Sequence, residues 1–258
     1  MKLRGAAEAP RRAPVRAVLF DMDDTLFDHT ATMALALSRL QHREAPLRAV
    51  RFPSLLERYR RYLDEIQPGR PGGPPTHDEA RLERFRRIAT WVGVDDPESD
   101  ALRWSSRYRR AYQRARRPVP GAPELLRRLH ETARVGVVTN NHTREQLGKI
   151  RAIGIGRWLD ALVTSEETGL EKPDPGIFRV ALDRLGASPE RAVMVGDSWP
   201  TDIVGAMRAG LPAVWLRRTA TARGGGGGVR TIRSLEPTEE VARLILRRTG
   251  APKRRRTE

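Results

Sequence analysis

Short apolar runs alternate with helix-like stretches along most of this chain, with one long interruption. Val15–Phe20 (V-R-A-V-L-F) reads as a buried strand, short and rich in β-favouring residues. Val135–Val138 (V-G-V-V), Ala161–Val163, Ala192–Val195 and Ala213–Leu216 repeat that pattern, and Thr231-Ile232 marks a last short strand. Helical stretches stand before the later strands. They run over Pro123–Leu129, over 144–153, over Gly176–Leu185 and, after Pro200, over Thr201–Ala209 up to Gly210. A further helix over Thr238–Arg247 closes the order. This alternation predicts an α/β fold, a parallel sheet with helices on both faces.

The interruption lies between Asp28 and Pro118, where the period changes from strand-like to helical. Asp28 can cap a helix whose face carries Met33, Leu37 and Leu40. Phe52, Leu55, Leu56, Tyr59, Leu63 and Ile66 form a second helical face. Leu82, Phe85, Ile88 and Val92 form a third, and Trp104, Tyr108, Ala111, Tyr112 and Ala115 a fourth. Pro68–Pro75 (P-G-R-P-G-G-P-P) must be a loop, and Pro118-Val119-Pro120-Gly121 reads as the return hinge. The expected organisation is an α/β core of residues 15–28 and 118–250 with an all-α insert over 29–117. Residues 1–14 read as a disordered basic extension and 251–258 as a basic tail. Gly224–Gly228 lacks the Lys-Ser/Thr and helix start of a phosphate-binding loop and reads as a plain flexible loop.

The chain has 258 residues, enough for one large or two modest domains. No apolar run approaches the length needed to cross a bilayer, and Met1–Arg16 lacks the apolar core of a signal peptide. Without cysteine there is no disulfide framework and no thiol chemistry, which fits a cytoplasmic protein. The net charge of +16 raises a nucleic-acid reading. Two features weigh against it. The arginines are spread over tails, helices and loops alike, and aromatics are only 5%, too few to supply a stacking platform.

Candidate chemistry concentrates where the strands end. The first strand runs into Asp21-Met22-Asp23-Asp24-Thr25. Two carboxylates two residues apart on extended backbone point the same way and repel unless a cation or shared proton lies between them. That pattern suits a hard divalent metal with one carboxylate free for a substrate, although a strand-end turn with solvated acids has the same spelling. The second strand runs into Thr139-Asn140-Asn141. Glu171-Lys172-Pro173-Asp174-Pro175 follows the third, and Gly196-Asp197 with Asp202 follows the fourth.

Asp, Thr, Lys and Gly-Asp-(four residues)-Asp in this order resemble the haloacid dehalogenase-like hydrolases, over nearly the whole span from Val15 to Leu246. The resemblance implies a Rossmann-like parallel sheet, with the all-α insert as a cap domain between the first and second motifs. It implies that Asp21 is a nucleophile that forms an aspartyl-phosphate, and that Asp23 gives and takes the proton. It implies Mg²⁺ held by the Asp21 side chain, the Asp23 backbone carbonyl and Asp197. Asp202 would lie behind them, holding a metal-bound water or a neighbouring donor. Lys172 would supply a fixed positive charge, Thr139 a hydroxyl and N–H for the phosphoryl oxygens, and Asn140 another donor. Pro173 favours extended backbone at the lysine, and Asp174 can cap a helix with Pro175 at its first position, so the lysine projects from a stiffened loop.

Each of these residues has a plainer reading on its own. Lys172 could be a surface lysine, Asn141 a cap, and Asp197 and Asp202 caps of the helix that ends at Gly210. Yet Lys172 is one of only four lysines in an arginine-rich chain, which fits a role needing a compact ammonium. His29 and His142 lie near the presumed mouth and receive no role. Dehalogenases of this superfamily lack the second Asp, so Asp23 argues against carbon–halogen chemistry, and the membrane spans of P-type ATPases are missing. The expected function is a magnesium-dependent phosphatase acting on a small phosphate monoester. A phosphomutase of the same superfamily is the alternative in class, and a nucleic-acid-binding protein on a hydrolase scaffold the alternative outside it. Arg58, Arg60, Arg61 and the run Arg107–Arg117 make the insert basic, which favours a substrate with a second anionic group.

Overall fold

In the computed structural model, residues 14–66, 76–219 and 229–247 are described. The expected loops at Pro68–Pro75 and Gly224–Gly228, the N-terminal extension before residue 14 and the C-terminal tail lie outside the described residues. The elements run β1 (Ala17–Phe20), α1 (His29–Arg43), α2 (Ala45–Arg48), α3 (Phe52–Glu65), α4 (His77–Val92), α5 (Pro97–Ala115) and α6 (Ala122–His130). They continue with β2 (Arg134–Thr139), α7 (Thr143–Ala152), β3 (Ala161–Thr164), α8 (Ser165–Thr168), α9 (Pro175–Leu185) and β4 (Ala192–Gly196). The last are α10 (Val204–Arg208), β5 (Ala213–Leu216), β6 (Arg230–Ile232) and α11 (Thr238–Leu246). None of the described helices is long and apolar enough to cross a membrane.

The six strands form one sheet in the order β3-β2-β1-β4-β5-β6, and every neighbouring pair is parallel. Ala17 and Leu19 of β1 face a cluster built from α9, α10 and the inner residues of β4. Val18 and Phe20 point the other way and are just as buried. Both faces of the sheet are therefore covered, which is why β1 reads as a continuous apolar run rather than an alternating one. The strand order reverses between β1 and β4, and ligands in such sheets bind beyond the carboxyl ends at that point. There β1 and β4 run in register, with Phe20 beside Val195.

The described residues fall into two compact units, one holding the sheet and its helices and the other formed by His29–Arg116. The second unit is all-helical. Its core gathers Leu37 and Leu40 of α1, Leu55 and Tyr59 of α3, Phe85 and Ile88 of α4, and Trp104 and Tyr108 of α5. The four apolar faces legible in the sequence meet here. Helix α4 begins with a capping box: Thr76 accepts from the Glu79 N–H while the Glu79 carboxylate accepts from the Thr76 N–H.

One element differs from its expected form. The helix predicted over Thr201–Ala209 starts as a wide π-type turn, Trp199–Ile203, and is α-helical only over Val204–Arg208. Pro200 has no N–H to enter a regular first turn, and the Ile203 N–H reaches back five residues to the Ser198 carbonyl at 3.3 Å. The wide turn sets Asp202 at the carboxyl end of β4, fully buried.

Trp104 is the largest fully buried side chain of the helical unit. Trp104→Ala is expected to cost about 3–5 kcal/mol, seen as a lower urea midpoint by circular dichroism. An unchanged midpoint would contradict this packing.

Candidate active site

The chain turns sharply after β1. The Asp21 N–H donates to the Val195 carbonyl at 3.0 Å and extends the β1–β4 pairing by one residue. Leu26 and Phe27 N–H groups both return to the Met22 carbonyl, and the Asp24 N–H donates to the Phe27 carbonyl at 2.7 Å. Asp24 takes the left-handed conformation at φ 60°, which Asp tolerates better than most residues. Met22, Leu26 and Phe27 are fully buried and pin this turn to the protein. Arg218 holds its outer side, 3.3 Å from both the Asp24 carbonyl and the Asp28 carboxylate.

Asp21 thereby meets Asp197 and Asp202, and the three offer carboxylate oxygens within 4.8 Å of one another. Gly196 makes this approach possible, since a Cβ there would sit 2.3 Å from Asp202 Oδ2. Lys172 is the cation inside the group, with Nζ 2.5 Å from Asp21 Oδ1 and 2.7 Å from Asp202 Oδ1. Asp202 Oδ2 accepts from the Ser198 N–H at 3.0 Å, and the Thr25 hydroxyl donates to Asp197 Oδ1 at 3.3 Å. Lys172 stands on a braced loop. The peptide bond to Pro173 is cis, and Asp174 caps α9 through the Gly176 N–H with Pro175 in the first turn. Gly205 of α10 packs so close to this loop that a Cβ would lie 2.9 Å from Pro173 Cα.

Three carboxylates against one ammonium leave excess negative charge in a buried place. Burial raises the Asp21 carboxyl well above the usual range, and the Asp202 and Asp197 charges add to it against the pull of Lys172. Burial likewise pushes Asp197 up to about 7, helped by Asp202 and Asp24. Burial alone would lower the Lys172 ammonium, but Asp202 and Asp21 outweigh it and raise it. An oxygen-only donor set with surplus negative charge suits a hard divalent cation.

Asp23 does not join this cluster. Its carboxylate turns to Lys149 of α7, whose Nζ lies 2.6 Å from Oδ1 and 2.8 Å from Oδ2. Gln146 Nε2 and Asn141 Nδ2 donate to Asp23 Oδ2 at 3.2 and 3.4 Å. The two carboxylates of D-M-D, which the spacing placed side by side, are thus drawn to different lysines. Thr139 is buried at the end of β2. Asn140 clasps the Lys172 backbone through its amide, donating to the carbonyl at 2.8 Å and accepting from the N–H at 2.7 Å. The loop carrying Lys172 comes up against the end of β2, and its unpaired backbone groups capture the amide.

Lys149 and Gln146 were not singled out in the sequence. The signal that marked Lys172, a lysine kept among arginines, marks Lys149 equally, but its distance from the motifs gave it no context. His142 pairs with Glu166 at 2.8 Å on an exposed surface, and His29 bonds the Tyr112 hydroxyl at 2.8 Å within the helical unit.

Comparison with known proteins matches residues 15–210 to the haloacid dehalogenase-like hydrolase family. The chain belongs to this family and is a hydrolase by descent. It is 36% identical over 203 residues to ribulose-1,5-bisphosphate 5-phosphatase of Halopiger xanaduensis, covering 77% of this chain and 83% of that protein. It is 33% identical over 211 residues to glyceraldehyde 3-phosphate phosphatase of Methanothermobacter thermautotrophicus, covering 80% and 88%. The magnesium-bound crystal structure of the HAD-hydrolase YfnB from Bacillus subtilis superposes with a TM-score of 0.67 at 25% identity, covering 89% of this chain and 99% of that one. Hydrolases of this family use a divalent metal, and the triad of buried Asp21 and Asp202 with half-buried Asp197 is of the matching donor type.

The raised carboxyls predict how metal binding depends on pH. Below about pH 7 the Asp197 carboxyl keeps its proton and competes with the cation; above it the carboxylate is free. Mg²⁺ affinity measured by calorimetry should rise between about pH 6 and pH 8, with proton release on binding. Unfolded, the same group ionises near 3.8, so from there to about 7 the folded state holds more protons and its contribution to stability falls as pH rises. At about pH 8 the metal-free Asp197→Asn protein should melt a few degrees above the parent and gain little from Mg²⁺. A pH-independent affinity, or a lower melting point for this variant, would contradict the charge balance.

Proposed function

We propose that the chain is a magnesium-dependent phosphatase that hydrolyses a small phosphate monoester through an aspartyl-phosphate on Asp21. The observation that carries this reading is the separation of the two D-M-D carboxylates. Asp21 stands among buried acids with Lys172, and Asp23 stands apart with Lys149. The two carboxylates stand in different surroundings, which lets them take different roles. The named phosphatases among the relatives support the phosphate monoester class.

In this reading Asp21, Asp197 and the Asp23 backbone carbonyl would hold the magnesium. When bound, it offsets the charge of the phosphoryl oxygens and favours the ionised form of Asp21. Asp202 keeps Lys172 in place, with one oxygen on Nζ and the other on the Ser198 N–H. Lys172 and Thr139 receive the phosphoryl oxygens, and Asn140 serves by holding the lysine's backbone. An Asp21 oxygen attacks phosphorus in line, the bond to the leaving oxygen breaks, and that oxygen takes the proton of Asp23. Water then attacks the phosphorus of the aspartyl-phosphate and gives its proton to Asp23, and the bond to Asp21 breaks to release inorganic phosphate.

The test is a panel of phosphorylated metabolites with and without chelator, followed by two variants. Asp21→Asn should leave only background release of phosphate. Asp23→Asn should lose about 10² to 10⁴ in rate on an alkyl phosphate. It should lose less in the first step with nitrophenyl phosphate, whose leaving group needs little protonation, and the phosphorylated protein should then accumulate in intact-mass spectra. No turnover across the panel, or a wild-type rate for Asp23→Asn on an alkyl phosphate, would overturn the assignment.

A further inference from the structure

The chain carries 48 lysines and arginines, of which only Lys2, Lys149, Lys172 and Lys253 are lysine. The two internal lysines are both buried, at 2% and 5% exposure, and each places its ammonium on one aspartate of D-M-D. Lys172 is accounted for by the acidic cluster. Lys149 has no part in the reaction as described so far.

The geometry around Lys149 is that of a clamp. Gln146, Lys149 and Ile150 form the buried face of α7, at helical spacing. Lys149 Nζ bridges both oxygens of Asp23 and lies 5.2 Å from the centre of the Phe27 ring, inside the same turn. Gln146 is fully buried and directs its amide N–H₂ at Asp23 Oδ2, while its Oε1 has no partner among the described residues. The reverse orientation would set a carbonyl oxygen against a carboxylate, so Asp23 fixes the amide. The Lys149 side chain is 3% exposed and that of Asp23 27%. The carboxylate is gripped from the interior by Lys149 and Gln146.

A buried ion pair is a weak source of stability, since an apolar pair of equal volume often does as well. It is a strong determinant of position. Lysine suits the place better than arginine, because a compact ammonium can bridge two oxygens of one carboxylate from within a packed helix face.

We propose that Lys149, assisted by Gln146, is a positioning residue for the acid–base Asp23. It holds the Asp23 carboxyl group at one place, so that the same oxygens meet the leaving oxygen in the first step and the attacking water in the second. The inference rests on the reading of Asp23 given above.

The test compares Lys149→Met, Lys149→Arg, Asp23→Asn and the double variant Asp23→Asn/Lys149→Met in the full-length protein with Mg²⁺. Substrates are an alkyl phosphate and nitrophenyl phosphate. Lys149→Met should reduce kcat on the alkyl phosphate roughly 10²-fold with KM unchanged, the scale of a misplaced catalytic group. Its first step with nitrophenyl phosphate should fall less, and phosphorylated protein should accumulate, as for Asp23→Asn. Lys149→Arg, which keeps the charge, should fall between Lys149→Met and the parent. The double variant should be no slower than Asp23→Asn, because the clamp acts only through the carboxylate.

Equal losses on both substrates, or a double variant slower than Asp23→Asn by the full Lys149→Met factor, would overturn the proposal and leave Lys149 a structural residue. Should Lys149→Met fail to fold, the double variant carries no orphaned charge, and its rate against Asp23→Asn decides the same question. A wild-type rate for Asp23→Asn would instead overturn the reading of Asp23 itself. Loss in Asp23→Asn with full activity in Lys149→Met would overturn only the clamp.

Discussion

Mutual repulsion of carboxylates is the constraint to which the rest of this site answers. The in-register pairing of β1 with β4 sets Asp21 beside Gly196, and the wide turn after Trp199 brings Asp202 into the same space. Left alone, such a group would be expelled toward water or would bind protons. The raised Asp21 and Asp197 carboxyls are the sign of that tension. Lys172 relieves part of it, and a divalent cation is the natural complement for the remainder.

The supporting structure keeps the charges from relaxing apart. Asn140 holds the Lys172 backbone from the end of β2, Asp174 fixes the next helix, and Gly205 lets α10 press against Pro173. On the other side of the turn, Met22, Leu26 and Phe27 anchor the segment that carries Asp23 and Asp24. Packing density makes these arrangements stiff, because a side chain seated among filled neighbours has few alternatives. The fold supplies such neighbours through covered sheet faces and short connections.

The D-M-D carboxylates are also held apart, each by its own lysine. Two acids two residues apart could have shared one cation. Instead each has its own buried lysine, reached from a different element, Lys172 from the loop between α8 and α9 and Lys149 from α7. Division of this kind lets neighbouring acids hold different roles, as the reading of the chain as a phosphatase requires.

Much of this was legible in the chain itself. Strand and helix order followed from periodicity, because covered strands must be continuously apolar and the helices of the insert must each bury one face. Asp21 and Asp197 stood out because each directly follows a strand, where the sequence carries its own marker of position, and Asp202 and Lys172 because their order along the chain matches the resembled motifs. Other features were decided only by tertiary structure. The Asn140 amide could have served a ligand or the backbone, and the approach of the Lys172 loop chose the backbone. Asp23 was read as a neighbour of Asp21 from strand alternation, but the left-handed turn at Asp24 and the lysine waiting on α7 drew it elsewhere. Lys149 is ten residues beyond Thr139, on a helix whose rotation over the turn no local pattern specifies. Sequence spacing fixes which way a side chain leaves its own element; which charge from a distant element meets it is settled only when the elements pack.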